Sequence, residues 1–222
     1  MTDLAARKQL SAPRLGQEAA KRALDVVLAS VLLMVASPLL LLLWGLVRST
    51  SAGPALFRQE RVGRHMRPFT MVKLRSMYVD NDDKTHRAFV TRMLSAEEDA
   101  SARNGALFKL VGDPRVTPVG AWLRRTSLDE LPQLINVLRG EMSLVGPRPM
   151  LSWEAELLSE LYRPRFTVKP GITGLWQVSG RSRLSMRRAL ELDVEYARRR
   201  GVFFDLAILA RTVPALFRGG AS

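Results

Sequence analysis

The chain has 222 residues, 47% of them hydrophobic, with 34 lysines and arginines against 21 aspartates and glutamates, and no cysteine. There is enough apolar material for one sizeable core, while disulfides and thiolate-metal sites are excluded. With only two histidines, His65 and His86, a bound cation has to be held by oxygen, which favours magnesium or calcium over zinc.

The formal charge of +13 asks for an anionic partner: nucleic acid, a phosphate-bearing substrate or an anionic membrane face. Composition does not choose among these, but position along the chain does. Residues 1–20 are polar and mixed and read as a tail or short surface helix. From Val26 to Val47 no residue is charged. As a helix rising about 1.5 Å per residue this run is roughly 33 Å long, enough for a hydrocarbon core of about 30 Å. It starts too late and is too long for a cleaved signal peptide, and it is apolar all round, unlike an amphipathic helix of a soluble domain. Ser37 and Pro38 stand at its centre. Proline removes an N–H and crowds the carbonyl of Met34, so a kink is expected there, with Ser37 placed to bond a nearby carbonyl. Two readings stay open: a kinked spanning helix, or a helix-break-helix that dips in and returns to the same face. Lys21 and Arg22 precede the run and Arg48, Arg58, Arg61 and Arg64 follow it, so flanking charge gives no clear inside–outside asymmetry.

From Thr50 onward the chain reads as one compact domain. Residues 50–79 are expected to form short strands and turns, and 80–104, highly charged, a surface helix and loop. Gly112-Asp113-Pro114 is a turn signal, and Val119 to Arg125 a short helix with a basic end. In TSLDELPQLINVLRG, Leu128, Leu131, Leu134, Ile135 and Leu138 recur at helical spacing, and Gly140 is a natural stop. GPRP and KPGITG read as rigid loops, and Arg183 to Arg200 as a helix. The apolar VFFDLAILARTVPALF is either a core helix or one lying in the membrane interface.

Asp129 and Glu130 are adjacent carboxylates at a helix start. The structural explanation is capping: Ser127-x-x-Glu130 matches a capping box, or Asp129 is itself the N-cap with Pro132 at N3, where its missing N–H costs nothing. The surroundings argue for chemistry. Arg124 and Arg125 precede the pair, Arg148 follows between two prolines that restrict its backbone, and Lys73, Arg75, Lys169 and Arg181 are free to converge from other loops. Arginine forks recognise phosphate oxygens, a carboxylate among them can attack phosphorus, and a divalent cation neutralises the phosphate for an anionic nucleophile. No Walker A loop or dinucleotide fingerprint is present.

The stretches KRALDVVLAS, SPLLLLL, FRQERVGRHMRPFTMVKLRSM, DPRVTPVGAWLRRTSLDELPQLINVLRGEMSLVGPRP, KPGITGLWQVSGR and ELDVEY closely resemble, in order, the bacterial sugar transferases, the monotopic polyprenyl-phosphate phosphoglycosyltransferases, in their minimal form. The likeness runs from about Lys21 to Thr212. It implies a mainly helical α+β fold in three parts: an N-terminal tail (1–20), a re-entrant membrane helix broken at Ser37-Pro38 (21–49) and a catalytic domain with interfacial helices (50–222) on the cytoplasmic face of the bacterial inner membrane. It also implies Asp129 as nucleophile and magnesium ligand, and Glu130 as its partner in metal placement or proton handling. Lys73, Arg124, Arg148, Arg181 and Asp193 would lie around the substrate phosphates. The implied cofactor is Mg²⁺, the substrates a UDP-sugar and undecaprenyl phosphate, and the product lipid the first membrane intermediate of exopolysaccharide, capsule, O-antigen or glycoprotein glycans. A homo-oligomer is left open. The alternatives are a membrane-tethered scaffold that has lost catalysis, and a nucleic-acid binder, which the lack of any nucleic-acid motif disfavours.

Overall fold

The computed structural model describes residues 15–79, 84–95, 113–180 and 184–218. Among the described residues the architecture is mainly helical with two small sheets, in line with the mainly helical α+β fold that the resemblance implies.

Helix α1, Leu15–Thr50, takes in the apolar run and the end of the expected tail. Its most apolar stretch has a mean hydropathy of 2.8 and is only 11% buried. A core helix of a soluble protein would be mostly covered; here Val31, Met34, Val35, Leu41 and Leu42 face outward. The helix continues without interruption through Pro38. The Met34 carbonyl, which Pro38 cannot serve, accepts a hydrogen bond from Ser37 Oγ at 2.8 Å.

Both ends of α1 are fastened to the same domain. Near the start, Arg22 donates to the carbonyls of Val137 and Leu138 at 2.6 and 2.7 Å. Asp25 accepts from Ser143 Oγ and the Leu144 amide, both at 3.0 Å, and Ala29 is fully buried. Near the end, Leu43 and Val47 pack with Ala55, Leu74 and Leu123. There Arg75 donates to the Ser51 carbonyl at 2.8 Å and to that of Ala52.

The expected strands are a hairpin, β1 (Leu56–Val62) and β2 (Pro68–Leu74), pairing Phe57 with Lys73 and Arg61 with Phe69. Helix α2, Lys84–Ser95, lies in the charged segment and buries Val90. Helix α3 is Pro118–Thr126, capped by Thr117 Oγ1 on the Gly120 amide at 2.9 Å. The single helix expected over TSLDELPQLINVLRG is instead a 3₁₀ turn, Leu128–Glu130, followed by α4, Gln133–Arg139. Gly140 ends α4 at φ +80°, the left-handed conformation glycine tolerates. Asn136, fully buried, ties α4 to the hairpin by accepting from the Val72 amide and donating to the Thr70 carbonyl.

Strand β3, Ser143–Val145, runs parallel to β4, Gly171–Thr173. Gly171 is obligatory there, because a Cβ on it would sit 2.0 Å from the Gly146 nitrogen. The short helix α5 (Ser152–Glu156) packs against β1, and the short helix α6 (Leu175–Ser179) follows β4 in the chain. Helix α7, Met186–Arg199, buries Leu190, Asp193 and Tyr196 in the main core. Helix α8, Val202–Arg218, splits its apolar residues: Ile208 is buried, while Phe203, Leu206 and Val213 are exposed. It therefore serves the core, as one of the two sequence readings has it, and offers an apolar outer face.

Candidate active site

Asp129 sits on the 3₁₀ turn between α3 and α4 and is 7% exposed. The capping explanation does not hold. Ser127, at φ 59°, precedes the turn without a side-chain cap bond, and Pro132 occupies the N-cap of α4, likewise with no cap bond. The left-handed Ser127 turns the chain sharply out of α3, and the rigid Pro132 starts α4. The two carboxylates are thus presented on a tight turn held by the Glu130 amide on the Ser127 carbonyl, at 3.2 Å, and the Leu131 amide on that of Leu128, at 3.3 Å.

Three of the expected phosphate-binding cations converge on this turn. Lys73, from β2, is pushed down to about 8 by burial and by Arg61, against the pull of Asp129; Arg148 lowers it and Glu130 raises it further. Its ammonium lies 5.1 Å from the Phe57 ring centre. Arg124, from α3, is drawn below its usual value by burial, with Asp129 and Asp113 pulling it back and Arg148 and Arg115 opposing them. Arg148 lies in the loop after β3, which is knitted to β4 by the Gly146 amide on the Thr173 carbonyl and the Gly171 amide on the Pro147 carbonyl, both at 2.9 Å. Positive charge is thus concentrated beside one buried carboxylate on elements of three different kinds: strand, helix and loop.

Asp193 connects to the cluster from behind. It is 3% exposed, and its Oδ2 accepts from Arg165 Nη2 at 2.6 Å and Nε at 3.2 Å. Arg165 Nη2 also donates to the Arg148 carbonyl at 2.8 Å. Burial pushes the Asp193 carboxyl up from the carboxylate range, against the pull of Arg165 and of the Arg148 charge and amide. Asp193 therefore reaches Arg148 through the main chain and through Arg165.

Other expected positions go elsewhere. Arg75 clasps the end of α1. Lys169 lies by Arg22, Asp25 and Arg64. Arg181 falls outside the described residues. Sequence reasoning did not single out two buried arginines. Arg61 donates to the Pro149 carbonyl at 3.4 Å and pairs with Glu154 at 3.7 Å. Arg165 has no local signal that separates it from the more exposed Arg163, which pairs with Glu160. Among the described residues no group of three or more His, Asp or Glu side chains converges. A cation at this turn would have the adjacent Asp129 and Glu130 carboxylates as its protein donors. That suits magnesium, which takes one or two carboxylates and completes its shell with substrate phosphates and water.

The model of the family described as bacterial sugar transferase matches residues 16–219. The chain belongs to the bacterial sugar transferase family. It is 42% identical to the exopolysaccharide production protein ExoY of Rhizobium meliloti, over 89% of this chain and 85% of that one. It is 41% identical to the UDP-glucose:undecaprenyl-phosphate glucose-1-phosphate transferase of Caulobacter vibrioides, over 92% of this chain and 72% of that one. The undecaprenyl-phosphate galactose phosphotransferase of Salmonella typhimurium is 41% identical over 89% of this chain, which spans only 40% of that longer protein. All of the elements that carry the Asp129 cluster lie inside the family match.

Proposed function

We propose that this bacterial sugar transferase moves a sugar-1-phosphate from a UDP-sugar to undecaprenyl phosphate, with Asp129 as nucleophile. The observation that carries the reading is a buried carboxylate, on an uncapped turn, sharing its surroundings with Lys73, Arg124 and Arg148. An Asp129 oxygen forms a bond to the β-phosphorus of the UDP-sugar as the bond from that phosphorus to the bridging oxygen breaks, and UMP leaves with the electron pair. A phosphate oxygen of undecaprenyl phosphate then bonds to the same phosphorus and releases the Asp129 carboxylate, giving the undecaprenyl-diphosphate sugar. Lys73, Arg124 and Arg148 hold the charge on the phosphate oxygens as the attack proceeds. Asp193 acts as a positioning residue, through Arg165 and Arg148. Magnesium held by Asp129, with Glu130 beside it, would neutralise the phosphates so that an anionic nucleophile can approach. UMP release by purified protein with undecaprenyl phosphate, across a panel of UDP-sugars, tests the reading and names the sugar. Release from none of a broad panel by folded protein would reject it in favour of a scaffold role.

The pH profile carries a signature of Lys73. Below about 8 its ammonium is charged and holds phosphate; above, the free enzyme loses that charge. We expect kcat/KM to fall as pH rises past about 8, at constant substrate ionisation. In Lys73→Arg the falling limb should shift beyond pH 10, since guanidinium stays protonated.

The re-entrant topology belongs to the same proposal, with the domain on the cytoplasmic face of the inner membrane. It is supported by the attachment of both α1 ends to one domain. A spanning helix would place its ends about 30 Å apart on opposite faces. The chain has no cysteine, so Gly16→Cys and Ser49→Cys can each be the only thiol. In sealed inverted vesicles both are expected to react with an impermeant maleimide; labelling of only one would establish a spanning helix.

A further inference from the structure

A second cluster of basic residues lies apart from Asp129. A cavity of about 190 Å³ is bounded by the first turns of α1, by Arg64 of the hairpin loop, by Lys169 before β4, and by Arg200 and Gly201 between α7 and α8. Five cations and two carboxylates line it. Glu18 is shared by Arg64, at 3.2 Å, and Arg200, at 3.8 Å. Asp25 is engaged by Ser143 and the Leu144 amide. Lys21 pairs with Asp205. Arg22 spends its guanidinium on two carbonyls at the end of α4. The Lys169 ammonium makes no hydrogen bond or ion pair among the described residues, and it lies close to Arg22: both head groups lie within 3.6 Å of where a Gly140 Cβ would stand. Burial, then Arg22, lowers the Lys169 ammonium from its ordinary value, with Asp25 opposing. Half-buried like charges are costly when the carboxylates near them are fewer and already engaged, as Asp25 is by Ser143 and the Leu144 amide, unless a further anion completes them.

The cavity's position says which anion. Its α1 wall ends at Asp25, one residue before the uncharged run begins. Gly201 is two residues from Phe203, which is 88% exposed on the apolar outer face of α8. The cavity thus combines cations for a phosphate with apolar surface at the level where headgroups meet acyl chains.

We propose that this cavity binds the phosphate of an anionic phospholipid headgroup, with Lys169, Arg22 and Arg200 as its cationic contacts and the acyl chains running over α8 beside Phe203. The lipid anchors the start of α1 at the membrane surface and is separate from the lipid substrate at Asp129.

Native mass spectrometry of the full chain in neutral detergent, titrated with phosphatidylglycerol or phosphatidylcholine, tests this. The first phosphatidylglycerol is expected to bind at least about tenfold more tightly than phosphatidylcholine, whose headgroup carries no net charge. Lys169→Gln should lose about fivefold or more of that affinity. Lys169→Arg should keep it, as should Arg187→Gln, which removes an exposed charge on the first turn of α7. Without lipid, Lys169→Gln should melt at or above the wild-type temperature, because a like-charge repulsion is gone; this separates lost binding from lost folding. Asp129→Asn should bind the lipid as wild type does, so failure of the catalytic reading and of this one are distinguishable. Equal affinity for both lipids, or unchanged phosphatidylglycerol binding in Lys169→Gln, would overturn the proposal. Displacement of the lipid by millimolar inorganic phosphate would overturn the lipid assignment in favour of a soluble phosphate.

Discussion

Asp129→Asn is expected to lower UMP release by at least about 10³-fold, some 4 kcal/mol of activation free energy, while leaving the fold and the melting temperature close to wild type. The substitution is nearly isosteric but removes the electron-rich oxygen that forms the bond to phosphorus. The fold should tolerate it, because neither the 3₁₀ turn nor α4 depends on a side-chain cap. A carboxylate that was only a cap would show the reverse pattern, about 1 kcal/mol of lost stability with little loss of rate. A second readout separates nucleophile from electrostatic partner. Wild-type protein given UDP-sugar without undecaprenyl phosphate should release UMP in a burst of up to one equivalent and gain the mass of a phosphosugar. Asp129→Asn should do neither. If the variant still forms the adduct, another residue is the nucleophile; if it releases UMP only with acceptor present, the two lipid and nucleotide substrates react directly.

Most of what depends on local pattern was legible in the sequence. The uncharged Val26–Val47 run, the strands within 50–79, the helix around Val119–Arg125 and the stop at Gly140 all appear where expected, because burial periodicity and backbone conformation are local properties. The leucine spacing after Thr126 promised one helix. Periodicity does not see that Ser127 adopts φ 59° or that Pro132 forces a fresh start, and that break is what presents Asp129. The destinations of the basic residues were the least legible part. Lys73, near the end of β2, and Arg75, just past it, are only two positions apart, yet Lys73 lies by Asp129 while Arg75 clasps the end of α1. Lys169 and Arg148 both sit in Pro/Gly loops, and the parallel pairing of β3 with β4 leaves them in separate clusters. Tertiary contact decides these positions, and no spacing rule contains it.

Arg165→Met is expected to be the most destabilising single change at the site, although Arg165 touches no substrate in the proposed reaction. It strands Asp193, 3% exposed and within 2.6 Å of the lost guanidinium. Breaking a buried ion pair by removing one partner costs about 3–5 kcal/mol, which for a chain of this size is about 10 °C in Tm. The loss should depend on pH. Burial already raises Asp193 above the ordinary carboxylate value, and without Arg165 nothing of comparable strength opposes it. A carboxyl whose folded-state value lies above its unfolded value contributes most stability at low pH and loses it as pH rises through the folded value. Arg165→Met should therefore approach wild-type stability in acid and fall away from it toward neutrality, read by thermal melts across pH in detergent. The double variant Arg165→Met/Asp193→Leu removes the stranded charge and should recover most of the melting temperature. It should not recover UMP release, because the Arg148 carbonyl has still lost its donor at 2.8 Å and the loop carrying the Arg148 guanidinium is no longer fixed. Stability restored without activity would assign the Asp193–Arg165 pair to positioning Arg148. Restoration of both would leave the pair with a packing role only, and the phosphate site would then be held by the β3–β4 main-chain bonds alone.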